Sequence, residues 1–172
     1  MPFTFLTEDG TGLVAATSYV SVEEADDIIA VNIHADARWT VLDEAIKEKL
    51  LSWASRYLDT NARWYGERVS STSGLRWPRK GVCDRDDFEI AEDVIPKQLK
   101  IAAASMATYL IAQDRSTERP QDALISLKAD VVELEFAEGY RLPKVPSHIN
   151  ELISGLGRIT SGTRVRFGRI IK

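Results

Sequence analysis

Between two long helical patterns lies the stretch Leu75-Arg76-Trp77-Pro78-Arg79-Lys80-Gly81-Val82-Cys83-Asp84-Arg85-Asp86-Asp87-Phe88, running on to Val94-Ile95-Pro96. It restricts the possible folds more than any other part of the chain. Connections this long without periodicity are uncommon in compact domains and are usually functional or disordered. Disordered segments are poor in large apolar groups, whereas this one carries Leu75, Trp77, Val82, Phe88, Val94 and Ile95. The sequence therefore predicts helices joined by an ordered loop over 66–95, held by its own apolar side chains.

The helices on either side are legible from spacing. Ser21-Val22-Glu23-Glu24 is a capping box, in which the serine hydroxyl takes an orphan N–H and the glutamate reaches back to the cap. It opens a helix to about residue 36, with Val22, Ala25, Ile29 and Ile33 on one face. A second helix is expected from about Asp43 to Thr60-Asn61, with Ile46, Leu50, Trp53, Ala54, Tyr57 and Leu58 as its core stripe. Pro96 suits the first position of a third, where its missing N–H costs nothing. Leu99, Ala102, Ala103, Met106, Leu110 and Ile111 then run to about Asp114-Arg115. Val132, Leu134 and Phe136 alternate with Glu133 and Glu135, a strand signal near 125–136. A short helix is expected over 147–156. The fold class is thus mainly α: a small bundle of three to four helices with a long ordered loop, a short β element and extended terminal arms. An N-terminal arm (1–20), a helical domain (21–156) and a basic tail (157–172) divide the chain.

Length and composition fit one globular domain, and a chain of this size buries roughly 70% of its unfolded surface. No apolar run reaches the ~20 residues of a membrane helix, so no membrane partner is expected. The acidic N-terminus lacks the basic region of a signal peptide. Cys83 is the one cysteine, which rules out an intrachain disulfide or a thiolate-rich metal site and points to a cytoplasmic setting. The net charge of −4 argues against a general nucleic-acid coat. Its distribution is uneven: from Arg141 onward seven basic residues face Glu151 alone, while residues 1–140 hold fifteen bases and twenty-five acids. Such a tail is either solvated or meets something negative, an acidic protein face or phosphate.

The chemistry is sparse. Asp84, Asp86, Asp87 and Glu89 suggest a hard cation, but the spacing lacks the glycine and distal glutamate of an EF-hand, and a solvated loop pairing with Arg79, Lys80 and Arg85 is the plainer expectation. His34 and His148 stand alone, Cys83 has no histidine nearby in sequence, and neither a phosphate loop nor a nucleophile elbow is present. No catalytic residue, cofactor or metal is expected. Aromatics beside bases, Trp64-Tyr65 with Arg63 and Arg68, and Trp77 with Arg76 and Arg79, fit a single-strand stacking platform. The alternative for Trp77 is an anchor that pins the loop to the helices.

Three blocks, Tyr19-Val20-Ser21-Val22-Glu23-Glu24-Ala25-Asp26, Ala54-Ser55-Arg56-Tyr57-Leu58-Asp59 and Leu75-Arg76-Trp77-Pro78-Arg79-Lys80-Gly81-Val82 with Asp84-Arg85-Asp86 and Ile95-Pro96, resemble a family from tailed bacteriophages often labelled DnaT-like single-stranded DNA-binding protein. The resemblance covers residues 19 to about 112 and leaves the basic tail outside. That family looks similar to head–tail connector (adaptor) proteins, small helical subunits forming a dodecameric ring beneath the portal. The resemblance thus implies a non-enzymatic structural subunit of the virion neck, assembled in the host cytoplasm. Its partners would be other copies of itself, a portal protein, a tail or head-closure protein, and DNA passing through the channel without sequence-specific binding. Contacts between subunits or with the portal would fall on Trp77, Pro78, Arg79, Phe88, Arg158, Arg164, Arg166, Phe167 and Arg169. The alternative is a DnaT-like replication protein that binds single-stranded DNA, against which the overall acidity weighs. A metal-dependent enzyme using the Asp84–Glu89 cluster is a distant third.

Overall fold

The computed structural model describes residues 3–34, 37–112, 126–129, 132–135 and 144–160. Among them are five helices, α1 (Val22–Ala30), α2 (Ala37–Thr40), α3 (Glu44–Asn61), α4 (Lys97–Ala112) and α5 (Ser147–Ile153). Six short strands complete the set: β1 (Ala62–Trp64), β2 (Glu67–Arg68), β3 (Arg79–Lys80), β4 (Ser126–Ala129), β5 (Val132–Glu135) and β6 (Gly157–Ile159). The fold is mainly helical, with the strands in three antiparallel pairs, β1 with β6, β2 with β3 and β4 with β5. The strand signal near 125–136 is the β4–β5 hairpin.

Helix α4 is the axis of the core, packed by α1, α2, α3 and α5. Its sequence explains this. Leu99, Ala102, Ala103, Ala104, Met106 and Ala107 are all fully buried, and a helix apolar nearly all round belongs in an interior. The three consecutive alanines let neighbouring helices approach closely. Pro96 opens α4, its carbonyl accepting Leu99 N–H (2.9 Å) and Lys100 N–H (3.1 Å).

Helix α1 starts on the capping box: Glu24 N–H donates to Ser21 Oγ (3.1 Å), and Ser21 N–H to Glu24 Oε2 (3.3 Å). It ends at Ala30, not near residue 36. The chain turns and re-enters as α2, where buried Trp39 donates from Nε1 to Asp26 Oδ1 (2.8 Å). Lys47 of α3 closes the same corner, bonded to both oxygens of Asp26 and placed 5.4 Å from the Trp39 ring centroid.

Helix α3 runs as expected, but its stripe is rotated. Leu51, Ala54, Ser55, Tyr57 and Leu58 are buried, whereas Ile46 and Trp53 are exposed. The spacing identified an apolar band wider than the face that α4 covers, and Trp53 falls outside it.

Described segments near both ends of the chain, 3–20 and 157–160, also pack on this core. Tyr19 and Val20 are fully buried. The segment before them is tied down by a parallel bridge between Thr7 and Ser18 and by Glu8 Oε1, which accepts Gly10 N–H (3.1 Å) and Gly12 N–H (2.8 Å). The first residues of the basic tail, 157–159, form β6 against β1. Residues 161–172 lie outside the described residues.

The loop between α3 and α4 is ordered through β2, β3 and a Cys83–Glu89 bridge. Trp77 is fully buried, edge-on to Trp64 with ring centroids 6.2 Å apart at 85°. Pro78, joined by a cis peptide bond, is buried beside it. Trp77 thus belongs to the core, where its indole N–H has no partner among the described residues. Trp77→Ala should destabilise the protein by about 3–5 kcal/mol through the cavity it leaves. Trp77→Phe, which keeps most of the apolar volume and removes the unpartnered N–H, should cost much less. Thermal denaturation of the two variants separates these outcomes.

A second prediction concerns pH. Burial raises the Glu24 carboxyl, but hydrogen bonds from Lys100 (2.6 Å) and the Ser21 N–H more than offset it, leaving it below its ordinary value of 4.5. Stability from this bridge is therefore present above pH 4.5 and is lost as pH falls through the lowered value. Because Glu24 is 44% exposed, solvent screening limits the contribution to about 1 kcal/mol or less. Glu24→Gln should be less stable at neutral pH and should converge on the parent protein in acid denaturation series.

Candidate nucleic-acid interface

Tyr19, Asp59 and Leu75-Arg76-Trp77 come from the three blocks singled out in the sequence, and they meet at one carboxylate. Asp59, near the end of α3, accepts the Tyr19 hydroxyl (2.6 Å) and the Trp64 indole N–H (2.9 Å) on Oδ1, and the Arg76 backbone N–H (3.1 Å) on Oδ2. The Arg76 N–H also reaches the Tyr19 oxygen (3.1 Å), and Tyr19 N–H donates to the buried Ser55 hydroxyl (3.2 Å). Burial raises the Asp59 carboxyl above its ordinary value despite these donors. Burial, with the Asp59 charge added, pushes Tyr19 well above its own. The blocks are therefore a structural joint between arm, helix and loop. Asp59 closes the second of the three blocks, but periodicity does not show what it accepts, because its donors come from segments distant in sequence.

Asp59→Ala leaves the Tyr19 hydroxyl and the Trp64 indole N–H without an acceptor, while the Arg76 N–H keeps the Tyr19 oxygen, and each buried unsatisfied group costs about 1–3 kcal/mol. The variant should lose several kcal/mol in denaturant unfolding, and Asp59→Asn, which keeps an acceptor oxygen, less. An unchanged midpoint for Asp59→Ala would show that the joint carries no stability.

What this joint displays is a basic surface. Arg79, almost fully buried, donates its guanidinium to the backbone carbonyls of Tyr65, Gly66 (2.6 Å) and Arg76 (3.1 Å). Burial lowers its affinity for its proton, with the nearby charge of Arg68 acting the same way. Arg68 reaches the carbonyls of Ser73 and Leu75 (3.3 Å). Neither guanidinium has a carboxylate partner among the described ion pairs. Gly66 carries the link between β1 and β2 at φ +61°, where a Cβ would lie 2.3 Å from the Lys80 carbonyl oxygen. Only glycine fits there.

On β1 the side chains alternate. Trp64 points into the core, while Arg63 and Tyr65 are exposed, as a period of two requires. The register sets Arg63 directly opposite Arg158 of β6. Bonds from Thr160 N–H to Asn61 O (2.7 Å) and Tyr65 N–H to Leu156 O (2.9 Å) make Arg63–Arg158 a hydrogen-bonded pair with both side chains on one face. Both are exposed, and like charges directly opposite are unfavourable unless an anion lies between them. Tyr65, 45% exposed with its backbone N–H and carbonyl both bonded, stands beside this pair. Around it lie Arg63, Arg68, Arg76, Arg79, Lys80 and Arg158. Of the acids in this region, Asp59 is spent on its donors and Glu67 lies 3.7 Å from Lys80.

The other expected site residues are scattered. Trp77, Pro78 and Arg79 are buried, so they present no side-chain surface to a neighbour. Phe88 is 72% exposed on the returning side of the 83–89 turn, where its carbonyl accepts Asp84 N–H, and Arg158 lies in the basic cluster. Arg164, Arg166, Phe167 and Arg169 fall outside the described residues.

The acidic run 84–89 is a turn built on Asp84, whose Oδ1 accepts Asp86 N–H (2.9 Å) and Phe88 N–H (3.0 Å). Its expected pairing with Arg79, Lys80 and Arg85 does not occur: Arg79 serves carbonyls, Lys80 meets Glu67, and Arg85 bonds Ser154 Oγ (2.9 Å from Nε) and the Glu151 carbonyl of α5. A depression of about 360 Å³ lies between this turn and α5, beside His148 and Glu151. Among the described residues no three metal-ligating side chains gather.

A family model described as "Putative DnaT-like ssDNA binding protein" matches residues 3–170. No curated protein and no solved structure matches the chain.

Proposed function

The chain belongs to that DnaT-like family, and from this premise we propose that it binds single-stranded DNA across the outer face of β1 and β6. The observation that carries the reading is Tyr65, an exposed ring on a fixed backbone beside the cross-strand arginines Arg63 and Arg158, which have no ion-pair partner among the described residues. A phosphate between the two guanidiniums relieves their repulsion, and the adjacent base stacks on the tyrosine. Arg76 and Lys80, both exposed, extend the cationic track. Cationic side chains with an aromatic platform are what sequence-tolerant strand binding uses. Trp64 and Trp77, the larger rings beside bases, serve the core. The protein acts as a binding subunit, without catalysis or cofactor.

Fluorescence anisotropy with a labelled oligothymidine across a salt series tests this. Log affinity should fall linearly with log salt, by about 0.7 per phosphate neutralised on a single strand. The double variant Arg63→Gln/Arg158→Gln, which gives up the one phosphate held between them, should flatten the slope by about 0.7 on the same basis. Tyr65→Ala should weaken binding by about 1–3 kcal/mol at an unchanged slope, and Lys49→Gln, exposed on α3 away from the cluster, should change nothing. Absent binding at low salt, or variants indistinguishable from the parent, would overturn the proposal.

A second reading is the ring-forming neck subunit of a tailed bacteriophage, contacting portal and tail proteins in the virion. Support for it comes from exposed apolar side chains suited to protein contact, Phe88 and the α1–α2 corner among them. The family match supports strand binding more than it supports this reading. Closed rings of the purified chain in electron micrographs, with no oligothymidine binding, would favour the neck subunit.

A further inference from the structure

Of the four tryptophans, Trp39, Trp64 and Trp77 are at most 7% exposed, whereas Trp53 on α3 is 46% exposed. Its indole makes no ring contact and no hydrogen bond among the described residues. Spacings of three and four residues set Trp53, Arg56 and Thr60 on one face of the helix, opposite the buried Leu51, Ala54 and Leu58. Arg56 is exposed and has no ion-pair partner among the described residues. An exposed apolar side chain standing alone is ordinary. A ring beside an unmatched cation, on a helix that leads into a basic surface, is not alone.

Helix α3 ends at Asn61 and β1 begins at Ala62, with no residue between them. Thr60 and Arg63 are exposed on either side of this junction, and Thr160 N–H bonds the Asn61 carbonyl there (2.7 Å). Between Lys49 and Asn61 the one acid is Asp59, whose oxygens are spent on Tyr19, Trp64 and Arg76. On the other side of Trp53 the helix turns acidic at Asp43, Glu44 and Glu48, so Lys49 stands in an acidic setting and the positive face ends at the ring. We propose that the single strand bound at Tyr65 continues along α3 and stacks a second base on Trp53, with Arg56 holding a phosphate between the two rings.

The inference rests on the strand-binding reading and adds to it a second platform and a dependence on strand length. At 1.5 Å per residue the helix rises about 12 Å from Trp53 to Asn61. At the ~3.4 Å spacing of a stacked strand this rise corresponds to about three to four nucleotides. A single nucleotide therefore occupies one ring only, whereas a longer strand engages both. Every base has a face to stack, so the second ring adds affinity without adding sequence preference. The rigid helix between the rings fixes their separation, and no loop has to close for both to be used.

The test titrates the full chain with oligothymidines of increasing length and reads tryptophan emission beside anisotropy. Because the other three indoles are buried, stacking on Trp53 should quench the emission of the parent once the strand spans both rings. Trp53→Ala should abolish the quench, weaken binding of long strands by about 5- to 150-fold at an unchanged salt slope, and remove the step in affinity with length. Arg56→Gln should flatten the salt slope by about 0.7. Trp53→Phe, which keeps a ring, should also lose the quench while retaining most of the affinity, and it decides the matter even if Trp53→Ala fails to fold. A parent that binds through Tyr65 with unchanged emission, a quench that persists in Trp53→Phe, or a folded Trp53→Ala that binds long strands like the parent would overturn the second platform and leave strand binding at Tyr65 standing. A parent that binds no strand would overturn both.

Discussion

One carboxylate holds the parts of this molecule together. Asp59 sits where helix α3 ends, yet its oxygens take donors from the N-terminal segment, from β1 and from the long loop. Hydrogen bonds to a charged acceptor are worth about 1.5–3 kcal/mol each in favourable geometry, and leaving such donors unmet costs a similar amount. Burial raises the carboxyl even with these donors, so holding the charge in place is itself unfavourable, and the donors offset part of that cost. The fold tolerates the charge because all three segments are brought to it at once. Helix α4 supplies the apolar mass behind this joint, and Asp59 sets the position of the loop that crosses it.

The exposed chemistry follows from that arrangement. With Trp64 and Trp77 packed edge-to-face inside, the chain through β1 turns Arg63 and Tyr65 outward by simple alternation. Arg79 braces the strand from below through backbone carbonyls, a use of guanidinium donors that consumes no carboxylate. Positive charge therefore accumulates on one end of a molecule whose net charge is −4. The net figure, which weighs against a strand binder when spread over the whole surface, loses that force once the bases are gathered. The opposite end of α3 carries Asp43 and Glu44, exposed and without an ion-pair partner among the described residues, and the exposed Ile46.

Much of the local structure was legible beforehand. The Ser21–Glu24 capping box, the start of α4 at Pro96 and the β element near 125–136 all rest on neighbours within a few residues. Ordering of the 66–95 loop followed from its apolar content. Trp53 was misplaced because periodicity defines a band on a helix and not which edge of the band a partner covers. The basic surface was half visible: Tyr65 beside Arg63 and Arg68 could be named, but its larger neighbours Trp64 and Trp77 looked equally available. The Arg63–Arg158 pair could not be seen at all, since strands of three residues nearly a hundred positions apart carry no local signal.

The sequence by itself determined the helical class, the capped helix start, the ordered loop and the separation of charge between body and tail, because these depend on short-range sterics, side-chain volume and composition. Only the tertiary structure decided which aromatic rings are core and which is surface, what Asp59 accepts, and which arginines face one another. Those outcomes depend on the positions of groups distant in sequence, and a buried donor or acceptor takes its role from whatever partner the packing brings within 3 Å.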